Sequence, residues 1–200
     1  MVNSYHLKGH FLVAMPDMQD ERFKKAVIYI CSHSADGAMG IVINQPAPEL
    51  SFSEILIQLN ITPVKENITL PAFGQKQETP VFCGGPVEPN RGFILHSPDY
   101  YIERTTVKIE DQICLTATLD ILRAFAEGRG PQYCLFALGY AGWGAGQLEH
   151  ELQDGGWLNC ESDADVLFHM ESSERYSAAL KSIGIDPEKL SQLSYSMGHA

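Results

Sequence analysis

The glycine-rich segment 139–146 is the most suggestive chemical motif of the sequence, because four glycines surround Trp143 between a strand-like run and an amphipathic helix. Strand, glycine loop and helix in this order can bind a phosphate at the helix N-terminus. The spacing argues against it, since a G-x-G-x-x-G frame that starts at Gly142 meets Gln147 instead of glycine, and no Walker A lysine follows. Glu149 would also repel an anion. The segment therefore predicts a packing loop covered by Trp143.

A metal site would have to use scattered histidines. His150 and Asp154 stand in a sequence that matches H-E-x-x-H except for aspartate in the last place. Catalytic zinc needs three good ligands and a water, and this motif lacks one of its two histidines. We interpret both residues as solvated helix charges, and the sequence predicts no metal and no cofactor.

The five cysteines include one candidate reactive thiol. Their odd number and the absence of close pairs argue against a disulfide framework and a zinc site. Cys31 and His33 lie two residues apart in a strand-like run, so we expect them to share a face about 6–7 Å apart. That distance is too long for direct proton transfer to an imidazole. The pattern favours a core thiol, with redox sensing through Cys31 as the alternative.

A single arginine stands in the predicted loop 84–91, which joins two apolar strand-like runs and is shaped by glycine and proline. An arginine in such a loop can bind a carboxylate with two hydrogen bonds, either on a ligand or within the protein. For Arg91 we expect an internal partner, Asp99 or Glu103, and His96 follows five residues later. No G-x-S-x-G motif of a serine hydrolase is present.

The elements that must position these residues form a β-rich pattern. Two strand-like runs around Asp36-Gly37 predict a hairpin, and their apolar character on both faces places it in the centre of a sheet. Ser51 and Glu54 predict a capping box at the start of a helix. Residues 60–79 predict a long loop, and Ser172 or Ser173 is expected to be the N-cap of a late helix. The predicted strands are 9–15, 26–33, 38–44, 80–84, 92–96, 105–109, 113–117, 134–138 and 157–160; the other predicted helices are 119–127 and 146–154.

Charge and hydropathy limit the possible partners. The formal net charge of −11 opposes binding to nucleic acid or to an anionic membrane surface. The longest apolar run is far shorter than the ~20 residues that a membrane span requires, and the N-terminal residues do not resemble an export signal. We therefore expect one α+β domain over residues 1–200, located in the cytoplasm, without direct nucleic-acid or membrane partners.

The ordered motifs of the whole chain resemble the bacterial AlgH/YqgE family. The resemblance implies a bifurcated sheet curled into a pseudo-barrel with peripheral helices, and a family label of transcriptional regulator without established catalytic residues. Where the family often has Arg-Trp, this chain has Arg175-Tyr176. The motifs that carry the resemblance are residues 9–16, 29–31, 37–40, 44–46, 84–86, 91–96, 137–143, 146–149, 157, 184–186 and 198–200.

The leading hypothesis for function is a non-enzymatic regulatory or interaction protein that acts through an unknown protein partner or small ligand. One alternative is an enzyme or metabolite-binding protein with a cleft between Gly84–His96 and Gly139–Glu149. The other is the redox sensor through Cys31. We expect a buried Trp143 with Leu148 and Leu152 facing the core, and the candidate functional surface comprises Arg91, His96, Trp143 and Glu149.

Overall fold

The computed structural model describes residues 6–61 and 80–187. Within these ranges it contains ten strands, five α-helices and one 3-10 turn, Glu21–Phe23. The strands are β1 His10–Ala14, β2 Val27–Ser34, β3 Gly37–Val42, β4 Pro46–Ser51, β5 Pro80–Cys83, β6 Val87–His96, β7 Thr106–Lys108, β8 Cys114–Thr116, β9 Cys134–Gly144 and β10 Trp157–Glu161. The helices are α1 Phe52–Gln58, α2 Leu119–Ala126, α3 Gln147–Gln153, α4 Ala164–Phe168 and α5 Ser172–Ser182.

The strands form one curled, mostly antiparallel sheet, a half-barrel with helices packed around it. Its main path runs β10-β1-β2-β3-β9-β6-β8-β7, with β4 and β5 off this path. The sheet divides at β9: residues 141–144 pair with β3, whereas residues 134–140 pair with β6. β5 runs parallel to β9 over residues 136–138. The predicted α+β fold with a bifurcated sheet is confirmed.

Both faces of the sheet are covered, and this explains why its central strands are apolar on both sides. On β1, Phe11 and Val13 enter one hydrophobic cluster while Leu12 and Ala14 enter another, as the alternation of a strand requires. Helices α4 and α5 pack on the first cluster, α3 packs on the second, and α1 with α2 forms a third. The predicted hairpin, β2 and β3, lies in the interior of the sheet as expected.

Local signals located several element boundaries correctly. Ser51 and Glu54 form the predicted capping box of α1. Helix α5 begins at Ser172, and its N-cap residue is Glu171, one residue before the predicted caps; no separate helix was predicted at α4. Of the predicted loop 60–79, residues 62–79 lie outside the described residues.

Two predicted loops are largely strand. β9 continues to Gly144, because residues 141–144 hydrogen-bond with β3, and β6 begins at Val87 rather than at residue 92. The glycines permit close backbone contact: Gly139 has a φ of +74°, and a Cβ atom there would lie 2.4 Å from the carbonyl oxygen of Gly85. Only Gly146, with a φ of +72°, marks the turn from β9 into α3.

Candidate functional site

An open cleft of about 780 Å³ lies where the end of β9, helix α3 and the start of β10 meet the turn after β1. Parts of four segments line it, 17–23, 86–87, 141–147 and 151–157. We call it the tryptophan cleft, because both tryptophans of the chain, Trp143 and Trp157, are among its lining residues. Its volume lies within the range of small-molecule sites, roughly 300–1,000 Å³.

The carboxylate of Glu151 is the chemical centre of the tryptophan cleft. The indole Nε1 atoms of Trp143 and Trp157 both donate hydrogen bonds to its Oε2, each at 2.9 Å. Gln147 Nε2 donates to Oε1 at 2.9 Å, while Gln147 Oε1 accepts from the backbone N–H of Gly144 at 3.0 Å. Three donors from three elements therefore fix one carboxylate in one orientation.

The chain order explains how these groups meet. Gln147 and Glu151 are four residues apart on α3, so they lie on the same face of the helix. Trp143 stands at the end of β9, one turn before α3, and Gly155-Gly156 returns the chain so that Trp157 begins β10. Sequence reasoning did not select Glu151 or Trp157 as functional. A usable signal was the pair Gln147 and Glu151, four residues apart between the two tryptophans.

Aromatic rings and further carboxylates complete the cleft. Trp157 makes edge contacts with Trp143 and Phe23, with ring centroids 6.2 and 5.6 Å apart. Trp143 is 7 % exposed and Trp157 4 % exposed, so the indoles form the floor. Asp17, Asp20 and Asp154 also line the cleft, and Arg22, the one cation among the described lining residues, lies 2.6 Å from Asp20. The hydrogen bonds from Arg22 lower the pKa of Asp20.

Glu149 lies on α3 and connects this helix to β2. His33 Nδ1 accepts the backbone N–H of Leu7 at 3.1 Å, so Nε2 carries the proton and donates to Glu149 Oε1 at 2.8 Å. A backbone hydrogen bond at Glu149 and the contact with His33 lower the pKa of the carboxyl group. The pair connects β2, α3 and the N-terminal segment.

Cys31 and His33 do not share a face, contrary to the sequence-based expectation. The register of β2 against β3 shifts between Ile30 and Ser32, and this bulge places one extra residue in β2. Cys31 therefore lies in the cluster with Phe11, whereas His33 is paired with Ala38 of the opposite cluster. Burial raises the pKa of the Cys31 thiol, which supports the interpretation as a core thiol.

Thiol labelling should separate the cysteines by exposure. Cys83 is exposed, whereas Cys31, Cys114, Cys134 and Cys160 are buried. We expect a thiol reagent at neutral pH to modify Cys83 first and the other four only on unfolding, because the reaction needs an accessible thiolate. Mass spectrometry of partly labelled protein measures the order, with urea-unfolded protein as the control. Labelling of Cys31 before Cys83 would contradict this and favour redox sensing.

His96 lies inside the protein and not on a functional surface. Its Nδ1 donates to the carbonyl of Ser97 at 2.8 Å, so Nε2 accepts from Thr116 Oγ1 at 2.9 Å. Thr116 in turn accepts from Thr106 at 2.8 Å, and Thr106 accepts from the backbone N–H of Ile102 at 3.1 Å. This chain of bonds fixes His96 as a neutral ring, and burial lowers its pKa.

The network predicts that His96 makes stability fall in mild acid. An unfolded histidine titrates near ~6.5, whereas folded His96 takes up its proton only at lower pH. The neutral, buried His96 therefore contributes its full stabilisation above the unfolded-state pKa of ~6.5. This stabilisation declines by at most about 1.4 kcal/mol per pH unit as the pH falls from there toward the lower pKa of the folded state. Urea unfolding at pH 7.5 and 5.5 should show a smaller difference for His96→Gln than for the unchanged protein. The exposed His150→Gln serves as control, and equal differences for all three proteins would contradict the prediction.

Arg91 does not contact the carboxylates expected from the sequence. Its Nη1 lies 2.9 Å from Glu88 Oε2, and its guanidinium lies 5.1 Å from the ring centroid of Phe93. Asp99 instead accepts a hydrogen bond from the backbone N–H of Gln132 at 2.8 Å. The predicted partner was therefore wrong, because β6 begins early and places Arg91 beside Glu88 within the same strand.

The four candidate surface residues are not brought together. Trp143 lines the tryptophan cleft, whereas Glu149 of α3 is not among the described lining residues and contacts His33 instead. Neither Arg91 nor His96 is among the described lining residues. At one end of the cleft expected between the two glycine-rich segments, residues 84–85 and 139–140 pack backbone against backbone and leave no open space. Both segments contribute to the tryptophan cleft, through residues 86–87 and 141–147.

A second cluster has residue types that could be mistaken for a hydrolase site. Ser97, Asp99 and His169 line one pocket of about 390 Å³. The Ser97 hydroxyl donates to Asp99 and accepts the backbone N–H of Tyr133 at 3.0 Å, so it is held by structural bonds. The His169 ring packs edge-on against the Tyr133 ring, with the ring centroids 4.4 Å apart. This arrangement supports a structural role for all three residues.

The described residues contain neither a cluster of metal ligands nor a membrane-spanning helix. In residues 6–61 and 80–187, no three His, Cys, Asp or Glu side chains are grouped so that they could hold a metal ion. His150 and Asp154 are exposed and lie 3.7 Å apart, as solvated helix charges do. No helix in the described part of the chain is long and apolar enough to cross a membrane.

Comparison with known proteins places the chain in a family. The sequence model of a family described as AlgH-like matches residues 11–188. The chain belongs to the AlgH-like family. Among its curated relatives, a UPF0301 protein of Bradyrhizobium diazoefficiens is 52 % identical over 195 residues, which cover 98 % of this chain and 89 % of the relative. One from Methylobacterium nodulans is also 52 % identical, with 98 % and 90 % covered.

Solved structures of similar proteins confirm the fold. The solution structure of the AlgH protein from Pseudomonas aeruginosa is 39 % identical, with a TM-score of 0.75 and 96 % of each chain covered. Protein DIP2367 from Corynebacterium diphtheriae is 18 % identical, with a TM-score of 0.66 and coverage of 86 % and 85 %. The second likeness concerns the fold alone. The AlgH-like fold is therefore the curled half-barrel with five helices described above.

Proposed function

We propose that this protein is a non-enzymatic regulatory or interaction protein of the cytoplasm that responds to a small ligand held in the tryptophan cleft. The observation that carries the proposal is the Glu151 carboxylate, which two indoles and one amide fix at the base of an open cleft. Binding sites are concave and combine apolar walls with a few oriented polar groups. The cleft combines these properties, and four separate segments contribute to it.

The chemistry of the lining favours recognition over catalysis. The charged and amide side chains among its described lining residues are four carboxylates, two glutamines and one arginine, and the arginine is paired with Asp20. Glu151 already accepts three hydrogen bonds, from two indoles and one amide, and these bonds fix the orientation of its carboxylate as an acceptor. Such a group orients a ligand without reacting with it.

A thermal-shift screen tests the proposed function. The full chain is heated with nucleotides, thiols, sugars, amines and metal ions, and a ligand of the native state must raise the melting temperature. We expect at least one compound to stabilise the protein, to be recovered chemically unchanged, and to lose its effect when Val87→Trp narrows the mouth of the cleft. Val107→Trp, on the exposed β7, is the matched control.

Three results of that screen would contradict the proposed function, and the first is that no compound stabilises the protein. A stabilising compound that is converted to product would instead support the enzyme alternative. A compound that stabilises the Val87→Trp variant as much as the unchanged protein would bind outside the cleft.

The isolated protein is expected not to bind DNA sequence-specifically. Its net charge is −11, and two of the three cations in the basic segment 22–25 are paired with acids: Arg22 with Asp20 and Lys24 with Glu21. Phosphate binding depends on free lysine and arginine that displace counterions. A mobility-shift assay at about 0.15 M salt with excess competitor DNA should show no retarded band. A sequence-dependent band under these conditions would contradict the prediction and support direct binding of the protein to specific DNA sequences.

A further inference from the structure

We propose that the ligand of the tryptophan cleft is a small organic cation, an aliphatic amine whose ammonium group binds among the carboxylates and whose chain lies along the aromatic wall. This inference rests on the proposed function and adds the chemical class of the ligand. It follows from the charge of the lining, from the acceptor capacity of Glu151 and from the rings around it.

The charge of the lining is strongly one-sided. Asp17, Asp20, Glu151 and Asp154 contribute four carboxylates, while Arg22 is the one cation among the described lining residues. Arg22 makes hydrogen bonds through Nε and Nη2 to both carboxylate oxygens of Asp20, so this pair is neutralised internally. Asp17, Glu151 and Asp154 remain to attract a positive charge. The net charge of −11 for the whole chain adds to this field at longer range.

Glu151 retains capacity for one more donor. A carboxylate offers about four acceptor positions, two on each oxygen. The indoles of Trp143 and Trp157 use both positions on Oε2, and Gln147 uses one on Oε1. The remaining position on Oε1 suits an N–H donor, and an ammonium group has three of these. An anion or a carbonyl group brings no donor and would meet only a negative oxygen.

The walls suit the aliphatic part of such a ligand. Phe23 and Met18 are only partly buried and pack on the hydrophobic cluster that contains both tryptophans. Tryptophan and phenylalanine rings attract cations within about 6 Å of the ring centroid. In this structure Arg22 already lies 5.8 Å from the Phe23 ring, which shows that a cation is accommodated at this wall. The volume of about 780 Å³ accepts a molecule of several carbon atoms.

Isothermal titration calorimetry of the full chain with spermidine and 1,4-diaminobutane tests the inference. Butane-1,4-diol and succinate are the neutral and anionic probes of matched length, and magnesium chloride tests for a simple metal cation. We expect the two amines to bind with saturation and the three other probes not to bind. Raising the salt from about 0.05 to 0.3 M should weaken the amines, because screening reduces charge attraction.

Two matched double variants show whether the cleft is responsible. Asp17→Asn with Asp154→Asn removes two charges from the cleft, and Asp111→Asn with Asp165→Asn removes two exposed charges elsewhere. We expect amine binding about tenfold weaker in the first variant, a change of roughly 1.4 kcal/mol, and nearly unchanged in the second. Unchanged melting temperatures of the ligand-free variants establish that both are folded.

Several outcomes would overturn the inference. Amines that bind equally to both double variants do not use the cleft. Binding of lysine- or arginine-containing peptides without binding of free amines would mean that the cleft recognises a protein partner and not a small molecule. A neutral or anionic compound that binds in the cleft would overturn the cationic ligand but leave the proposed function intact, whereas a cleft that binds no compound of the screen contradicts both.

Discussion

Replacing Trp143 with alanine is expected to lower the free energy of unfolding by about 3–5 kcal/mol, as truncation of a buried large aromatic side chain does. The indole is 7 % exposed and packs against Trp157. Its Nε1 also donates to Glu151, so the variant loses one of the three bonds that orient the carboxylate. Urea unfolding followed by circular dichroism measures the change.

Two further variants show how much of the Trp143→Ala effect comes from the N–H donor and how much from the buried ring. Trp143→Phe keeps most of the buried ring but removes the N–H donor, so it should cost less than the alanine variant. Tyr101→Ala removes an aromatic side chain that is 59 % exposed and should change the stability by no more than about 0.5 kcal/mol. A loss below about 1 kcal/mol for Trp143→Ala, with the fold intact, would mean that the indole is available to a partner instead of supporting the structure.

Arg175→Ala is expected to destabilise the protein by a similar amount, about 3–5 kcal/mol, because it leaves a cavity and unpaired buried carbonyl groups. Arg175 is 1 % exposed. Its guanidinium donates to the carbonyl oxygens of Ile43 and Met170 and lies 5.1 Å from the ring centroid of Phe82. Burial lowers the pKa of Arg175 to about 10, so it remains charged at neutral pH. It thereby connects α5 to the end of β3 and to β5.

A second variant at position 175 separates the effect of lost side-chain volume from the effect of lost hydrogen bonds. Arg175→Met keeps much of the volume and removes the cost of burying a charge, so it should be less destabilising than alanine. Arg129→Ala, at a side chain that is 70 % exposed, is the control and should change the stability little. A loss below about 0.5 kcal/mol for Arg175→Ala would contradict the view that this arginine connects the helix to the sheet.

Much of the fold could be predicted from local sequence patterns. The hairpin around Asp36-Gly37 and the capping box of Ser51 and Glu54 depend on residues within a few positions of each other, so their signals are complete in the sequence. Apolar runs on both faces predicted a central position for β2 and β3, which the strand order confirms. The family resemblance supplied the curled architecture that local patterns alone do not specify.

The remaining features depend on contacts between distant segments. The bulge at Cys31 is set by the pairing of β2 with β3, and it separates Cys31 from His33 although their spacing predicts a shared face. The extension of β9 to Gly144 requires β3 as a partner. Arg175 is buried although arginine side chains are mostly exposed in proteins, because carbonyl groups from residue 43 and from its own region accept its hydrogen bonds.

The tryptophan cleft illustrates the same limit for function. The sequence singled out Trp143 and Glu149, and the structure places the chemical centre two residues further along α3, at Glu151. Trp157 and residues 17–23 reach the cleft only through the pairing of β10 with β1. Residues that are far apart in the chain therefore form the site that we propose as functional.

The most direct test of the central claim is to observe the two indole N–H signals in a nitrogen-proton correlation spectrum during ligand titration. The chain has two tryptophans, and both donate to Glu151, so these two signals report on the cleft alone. The compounds that stabilise the protein should shift both signals with saturation and leave distant backbone signals, such as those of Asp111 and Asp165, unmoved. Stabilising compounds that leave both indole signals unchanged would contradict the claim that the tryptophan cleft is the binding site.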